Sequence, residues 1–494
     1  MDVLVVIIST LFLLSIFATY QKTRSNLPPG PFGLPIIGNL HQLRTNHLSN
    51  HLSQLSKHYG PLMSLRLGRV QTLVVSSAQM AKEVLKTNDA IFCSRPVFTG
   101  QRMITYDYKG LVLTPYNEYW REMKKTCTLH LFTSKRVQSF RPDREEEVFL
   151  MINRIRSQIT ASGSYEAVVN LNETVMTLTS TIICRVAYGK RHGQEMSRFH
   201  ELLLECQAVL VTFYFRDHFP FMGWLDHLNG SMARLAKNFN DMDEFYQQLV
   251  DEHLNPKRPK VQEDIIDILL RLKNNDSCSF GLTFDHIKAI VMDIFLAGTE
   301  TIASSVVWAM TLLIKNPKAL ERVKQEVRNV VGNKGKVDED DLQMLDYLKA
   351  VIKETLRLYP AGPLLIPRET NDKCVLAGYT IPKKTLVFVN AWAIGRDPKS
   401  WDDPNEFKPE RFIGSSIDYK GLDFELIPFG SGRRGCPGMS LGATTMELIL
   451  SNLIYAFEWN LPAGMHREDI DTLTTPGFVL HKKNALCLVA TRSC

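Results

Sequence analysis

Residues 428–438 read Pro428-Phe429-Gly430-Ser431-Gly432-Arg433-Arg434-Gly435-Cys436-Pro437-Gly438, and a helix-forming run begins at Met439. Glycine permits backbone angles and close approaches that side chains forbid, so a loop with four of them is built to press its backbone against a neighbour. A thiolate among backbone N–H groups and arginines has its negative charge stabilised, and a soft anionic sulfur suits haem iron. The loop therefore nominates Cys436 as a metal-binding thiolate. The alternative, a buried cysteine in a glycine-rich turn, leaves the glycine and arginine placement unexplained.

Gly430-x-Gly432-x-x-Gly435 also satisfies the dinucleotide-binding pattern GxGxxG. That reading needs a βαβ unit and an acid at the end of the second strand about 20 residues on. Glu447 falls inside the helical run instead, so a dinucleotide site is rejected.

A 494-residue chain with 45% hydrophobic and 22% charged residues describes a folded globular protein with a large core. A net charge of +6 without a dense Lys/Arg run gives no reason to expect nucleic acid. The nine cysteines are scattered and contain no CxxC pair, which excludes a zinc site and a disulfide framework. A reduced, cytosol-facing body follows.

Val3 to Tyr20 is uncharged and apolar, about 27 Å as a helix and enough to span a hydrocarbon core. A cleaved signal peptide would want basic residues before the apolar stretch, whereas Asp2 precedes it and Lys22 and Arg24 follow. The order predicts a retained single-pass anchor with the body on the cytoplasmic side. Leu27-Pro28-Pro29-Gly30-Pro31 then reads as a stiff spacer, either orienting the body on the membrane or simply linking two units. The expected partition is an anchor at 3–20, a basic and proline-rich hinge at 21–31, and one domain at 32–494.

Beyond the hinge, short β-branched runs occur early and late, and amphipathic stretches fill the middle, so the domain is mainly helical. Phe284 to Lys315 follows the N-cap candidate Thr283 and contains no proline, which predicts one very long helix. In its middle, Ala297-Gly298-Thr299-Glu300-Thr301 places an acid and hydroxyls where burying polar groups is costly. Glu300 and Thr301 would relay protons there; the alternative is a kink in which Thr301 bonds to its own backbone. Glu354 and Arg357, at i and i+3, share a helical face, and in isolation such a pair reads as solvated.

Phe429-x-x-Gly432-x-Arg434-x-Cys436-x-Gly438 resembles the haem-binding signature of the cytochrome P-450 superfamily. Ala297-Gly298-x-Glu300-Thr301, Glu354-x-x-Arg357 and Pro409-Glu410-Arg411-Phe412 occur in that family's order. With the anchor and hinge the likeness covers the whole chain and is closest to the plant microsomal, A-type branch. It implies the mainly helical fold with small β-sheets, as a single catalytic domain, and haem b with Cys436 as axial thiolate. It further implies a buried network of Glu354, Arg357 and Arg411, room for dioxygen at Gly298, and haem propionates held by Trp120, Lys124, Arg368 and Arg434. Ile302 departs from relatives that carry Ser or Thr there.

The activity so implied is monooxygenation at the endoplasmic reticulum membrane. One oxygen atom of O2 becomes water and the other enters a small lipophilic substrate, with electrons from an NADPH-dependent reductase. That partner would dock on a basic face including Arg121, Lys125 and Arg433. Variable apolar segments (97–113, 209–221, 361–366 and 475–478) and the inner face of the long helix would line the substrate site. The aromatic run Phe213-Tyr214-Phe215 favours phenolic or terpenoid hydroxylation over oxidation of amino-acid-derived aldoximes. A reductase-independent haem-thiolate isomerase or dehydratase, and a non-catalytic haem sensor, are the other readings; reductase-dependent NADPH consumption separates them.

Overall fold

A computed structural model describes residues 26–43, 47–163, 165–190, 196–258 and 263–492. The apolar stretch expected as the anchor at 3–20, its flanking Lys22 and Arg24, and Cys494 lie outside the described residues.

Helices dominate, and the long apolar run lies at the centre of the core. The run forms two segments, Phe284–Gly298 and Glu300–Lys315, where the sequence predicted one. The break is a single residue, Thr299, at φ −81° and ψ −67°. Thr299 N–H reaches Phe295 O, and Ala303 N–H reaches Thr299 O, only at 3.4 Å. Thr301 Oγ1 meanwhile donates to Ala297 O at 2.6 Å. A hydroxyl bonding back one turn loosens the helical ladder and bends it. The start is well capped: the Thr283 N–H donates to His286 Nδ1 at 3.0 Å. Burial, and to a lesser degree Lys109, lowers the His286 pKa to about 4, which keeps that nitrogen an acceptor.

The helix Leu171–Tyr188 packs against both segments. A side chain on Gly298 would meet Ile183 Cδ1 at 2.6 Å, so the glycine lets these two helices touch. This corrects the expectation that Gly298 clears room for dioxygen. The small side chain presented at that level belongs to Ala297, exposed although Phe295 and Thr299 are buried.

Among the described strands, β1 (Leu62–Leu67), β2 (Val70–Val75), β3 (Glu166–Asn170), β4 (Arg368–Glu369), β5 (Cys374–Leu376), β6 (Tyr379–Ile381), β7 (Leu386–Val389), β8 (Phe457–Asn460) and β9 (Cys487–Arg492) form small sheets ordered β1-β2-β7-β4, β3-β9-β8 and β5-β6. β2 and β7 pair in parallel from Thr72–Leu386 to Val75–Val389, joining the first β-branched run to the last. The proline-rich stretch is part of this body: Ser64 N–H of β1 donates to Pro29 O at 2.9 Å, and Asn39 Nδ2 to Pro31 O at 3.1 Å. The domain therefore begins nearer Pro29 than residue 32.

Candidate active site

The loop at 428–438 is closed by its own backbone. Cys436 N–H donates to Phe429 O at 2.9 Å and Gly435 N–H to Gly432 O at 3.1 Å. The Phe429 ring packs edge-on against Tyr419 at 5.3 Å. Gly432 has φ +70°, and a Cβ on it would lie 2.2 Å from Leu85 O and 2.8 Å from Asp89 Oδ1. Only glycine allows that approach. No strand precedes the loop in the way a dinucleotide fold requires, and Glu447 lies mid-helix in Met439–Ala456.

Cys436 presents an accessible side chain on a loop that lies within the body of the protein. Burial pushes its thiol up to about 11, and only the Gly438 N–H pulls it down. The arginines do not stabilise it, contrary to the sequence reading, because both are held elsewhere. Arg434 donates to Cys93 O at 2.7 Å and Thr114 O at 2.6 Å, and Arg433 to Asp89 Oδ2 at 3.1 Å. A sulfur so placed becomes a thiolate when a metal ion takes it.

The groups expected at the propionates are brought together around Trp120. Arg434 stacks over its ring at 3.8 Å and Lys124 at 5.3 Å. Trp120 Nε1 donates to Leu111 O at 2.9 Å, and Lys124 Nζ to Arg433 O. Arg368 donates to Asp89 Oδ1 at 2.9 Å and Ser431 O at 2.7 Å. Sequence reasoning missed two members of this cluster, Asp89 and Arg95. Arg95 is buried and donates to Ile366 O at 2.6 Å, Pro367 O at 2.8 Å and Val112 O at 3.1 Å.

Burial, then repulsion from Arg434 and Arg368, drives the Arg95 pKa well down. Burial lowers Arg434 to about 9, with Arg368 adding to the fall. Among the described residues, buried Arg95 and Arg368 and half-buried Arg434 thus outnumber the carboxylate that binds in this cluster, Asp89. Two haem propionates fit that imbalance, since buried charge demands opposite charge.

On the long helix, Glu300 and Thr301 point to different partners. Glu300 is 2% exposed, and its Oε2 lies 2.8 Å from His481 Nε2. Its Oε1 is buried without a hydrogen-bond partner, as is Thr299 Oγ1. Thr301, half-buried, uses its proton on Ala297 O, as the kink alternative required, and keeps its oxygen as an acceptor. A Cβ placed on Gly442 would lie 4.0 Å from Ile302 Cγ1, so this level of the helix stands beside the helix that follows Cys436.

Glu354, Arg357 and Arg411 meet in a buried network. Arg357 makes a two-pronged contact with Glu354, 2.7 Å at each prong, and Arg411 Nε lies 3.0 Å from Glu354 Oε1. Arg357 also donates to the carbonyls of Gly395, Pro404 at 2.7 Å and Glu406 at 3.0 Å.

Of the segments expected to line a substrate site, 97–113 is bonded to the long helix, and 361–366 to the hairpin that follows 475–478. Asp293 Oδ2 accepts from the N–H groups of Leu111 at 2.6 Å and Val112 at 3.0 Å, and Leu480 N–H donates to Ala361 O at 2.9 Å. The run Phe213-Tyr214-Phe215 does not act as one apolar wall. Tyr214 is buried beside Gly100 with its hydroxyl on Val209 O, while Phe213 stacks on His218 and is partly exposed.

The sequence profile of the cytochrome P-450 family matches residues 28–489. The chain is 48% identical to the 6,7,8-trihydroxycoumarin synthase of Pastinaca sativa, over 94% of each chain. It is 48% identical to the 5-OH-xanthotoxin synthase of Ammi majus over 98% of each, and 46% identical to the strychnine-11-hydroxylase of Strychnos nux-vomica over 94% of this chain and 91% of that one. With the glycine loop, the interrupted central helix and the buried Glu354–Arg357 network already in place, the chain belongs to the cytochrome P-450 family and is a plant-type monooxygenase of it.

Proposed function

We propose that this enzyme inserts one oxygen atom from O2 into a small, lipophilic aromatic metabolite of coumarin or furanocoumarin type, with electrons from NADPH delivered by a separate reductase. The observation that carries the reading is the setting of Cys436. It is an accessible thiol on a clamped glycine loop, whose neighbours form a buried cluster with more cations than carboxylates. A group bearing two carboxylates and a thiophilic iron completes both. The relatives' names supply the substrate class: two of those described act in coumarin or xanthotoxin synthesis.

Bound haem supplies the activation of dioxygen. Cys436 Sγ would hold the iron, and Trp120, Lys124, Arg95, Arg368 and Arg434 would hold the propionates. Glu300 would deliver protons from its carboxyl, and Thr301, whose own proton is held on Ala297 O, would offer Oγ1 as the acceptor that steadies the oxygen being protonated. Glu354, Arg357 and Arg411 keep the chain leading into the loop in place.

For the reductase, the groove of about 330 Å3 lined by Trp120, Arg121, Lys124, Lys125, Leu129 and Arg433 supports a docking surface for an acidic partner. For the endoplasmic reticulum membrane, exposed Phe32, Leu34 and Ile36 join exposed Phe221, Met222 and Trp224. Gly68 N–H donates to Ile37 O at 3.1 Å and Arg69 N–H to His218 O at 3.1 Å, so both groups share one side of the molecule. With Val3–Tyr20 as a single-pass anchor, that side meets lipid and the domain faces the cytosol.

The test is spectral. Reduced protein with carbon monoxide gives the red-shifted Soret band of thiolate ligation, and Cys436→Ser removes it; a normal band in that variant overturns the ligand. In titrations, coumarins and furanocoumarins shift the ferric Soret band to the blue and are oxidised with reductase and NADPH. Aldoximes that bind tightly with a red shift and are turned over would reverse the substrate class.

A further inference from the structure

His481 lies in a hairpin that the long helix clamps. Ser304 Oγ and Trp308 Nε1 both donate to Leu480 O at 2.7 Å, so the carbonyl next to His481 is held from two sides. His481 O accepts from Thr475 N–H at 3.0 Å, and a β-bridge pairs Thr474 with Lys482. This fixes the imidazole with Nε2 at 2.8 Å from Glu300 Oε2. The two side chains differ in access: Glu300 is 3% exposed and His481 27%.

A buried carboxyl with one oxygen unbonded is costly unless a cation or a proton accompanies it. Imidazole brings either, because it donates and accepts through two nitrogens. We propose that His481 loads Glu300 with protons, so that the proton supply for dioxygen reduction enters through this hairpin. The proposal rests on the reading of Glu300 as a proton donor in monooxygenation. His481 is a positioning residue that acts through Glu300. In the step, the Nε2–H bond of the imidazolium breaks and an Oε2–H bond forms on Glu300. The neutral ring then takes a proton from hydronium in the solvent, so the net change is one proton passed from solvent to Glu300 and no electron moves. Rotation of the Glu300 carboxyl carries the proton from the His481 side toward the unbonded side.

The experiment uses full-length holoenzyme with reductase and xanthotoxin as the probe. It reads hydrogen peroxide released per NADPH oxidised, a ratio defined whether or not the probe is oxidised. Starved of protons, the enzyme returns O2 + NADPH + H⁺ as H2O2 + NADP⁺. His481→Gln keeps an N–H donor near Glu300, and His481→Arg keeps the ion pair; neither passes on a proton. Both are expected to raise the peroxide ratio severalfold while keeping the thiolate–carbon monoxide band, and Glu300→Gln to do the same. Where glutamine costs the band, the arginine variant gives the reading. Coupling at the wild-type level in both His481 variants, with Glu300→Gln uncoupled, overturns the role of His481 alone. Wild-type coupling in Glu300→Gln overturns the acid itself and this proposal with it.

Discussion

Arg368 Nη1 donates to Asp89 Oδ1 at 2.9 Å, and the two side chains are 4% and 5% exposed. The other oxygen of Asp89 accepts from the backbone N–H of Arg433 at 2.9 Å and from its guanidinium at 3.1 Å. One buried carboxylate therefore latches the cysteine loop to the strand residue Arg368. Removing its charge leaves two arginines facing each other, and an uncompensated buried charge costs about 3–5 kcal/mol. Asp89→Asn should fold poorly or lose haem, measured as thiolate–carbon monoxide absorbance relative to total protein. Full absorbance in the variant would show that the latch is dispensable.

Arg357→Lys tests the second buried network. Lysine cannot match the two-pronged contact with Glu354 or serve the carbonyls of Gly395, Pro404 and Glu406 at once. Removing the charge, as Arg357→Ala does, costs about 3–5 kcal/mol, and lysine restores the charge but not the fork. The expected result is a collapse in the yield of haem-loaded protein, with lysine and alanine nearly equal. A lysine variant near wild-type yield would mean that charge alone suffices.

The cysteine loop was legible because composition is a local signal: four glycines around one thiol leave few other uses. The Glu354–Arg357 pair was legible only through the order of its companion motifs. What each arginine binds was not. Arg434 answers carbonyls at Cys93, Leu111 and Thr114, more than 300 positions away in the chain, and periodicity carries no information about such contacts. Asp89 stands at the start of a short helix, where an acid is unremarkable. His481 opens the run His481-Lys482-Lys483-Asn484, which reads as a solvated stretch until the fold sets Glu300 beside it. The long helix was foreseen, and its break stood only as the alternative to an unbroken helix, because tertiary packing decides whether Thr301 turns its hydroxyl back on Ala297.

Thr301→Ala removes the half-buried hydroxyl while keeping the size of the helix side chains around it. Positioned proton transfer contributes on the order of a hundredfold or more. Product per NADPH should fall sharply and peroxide rise, with the thiolate–carbon monoxide band intact; Thr301→Ser, which restores the hydroxyl, should recover coupling. Unchanged coupling in the alanine variant would reduce Thr301 to the bend it makes at Ala297.

Asp293 gives a prediction whose sign follows from burial. Its side chain is buried in the long helix, and desolvation raises its pKa from 3.8 to about 6 against the opposing pull of the Val112 and Leu111 N–H groups. A carboxyl whose folded pKa is raised favours the folded state at low pH. That contribution is complete below the unfolded value near 3.8 and is lost as pH rises through about 6. The shift of about 2 units corresponds to about 3 kcal/mol at most. Asparagine presents one carbonyl oxygen to the same two N–H groups and never ionises. Asp293→Asn should therefore match wild type only near pH 3.8 and below, and gain on it as pH rises from 4 to 8, when thermal loss of the thiolate–carbon monoxide band is followed in full-length protein at each pH. Comparing the two proteins cancels the other carboxylates that titrate in the same window. Parallel pH curves would mean that the N–H donors outweigh burial and hold Asp293 ionised throughout.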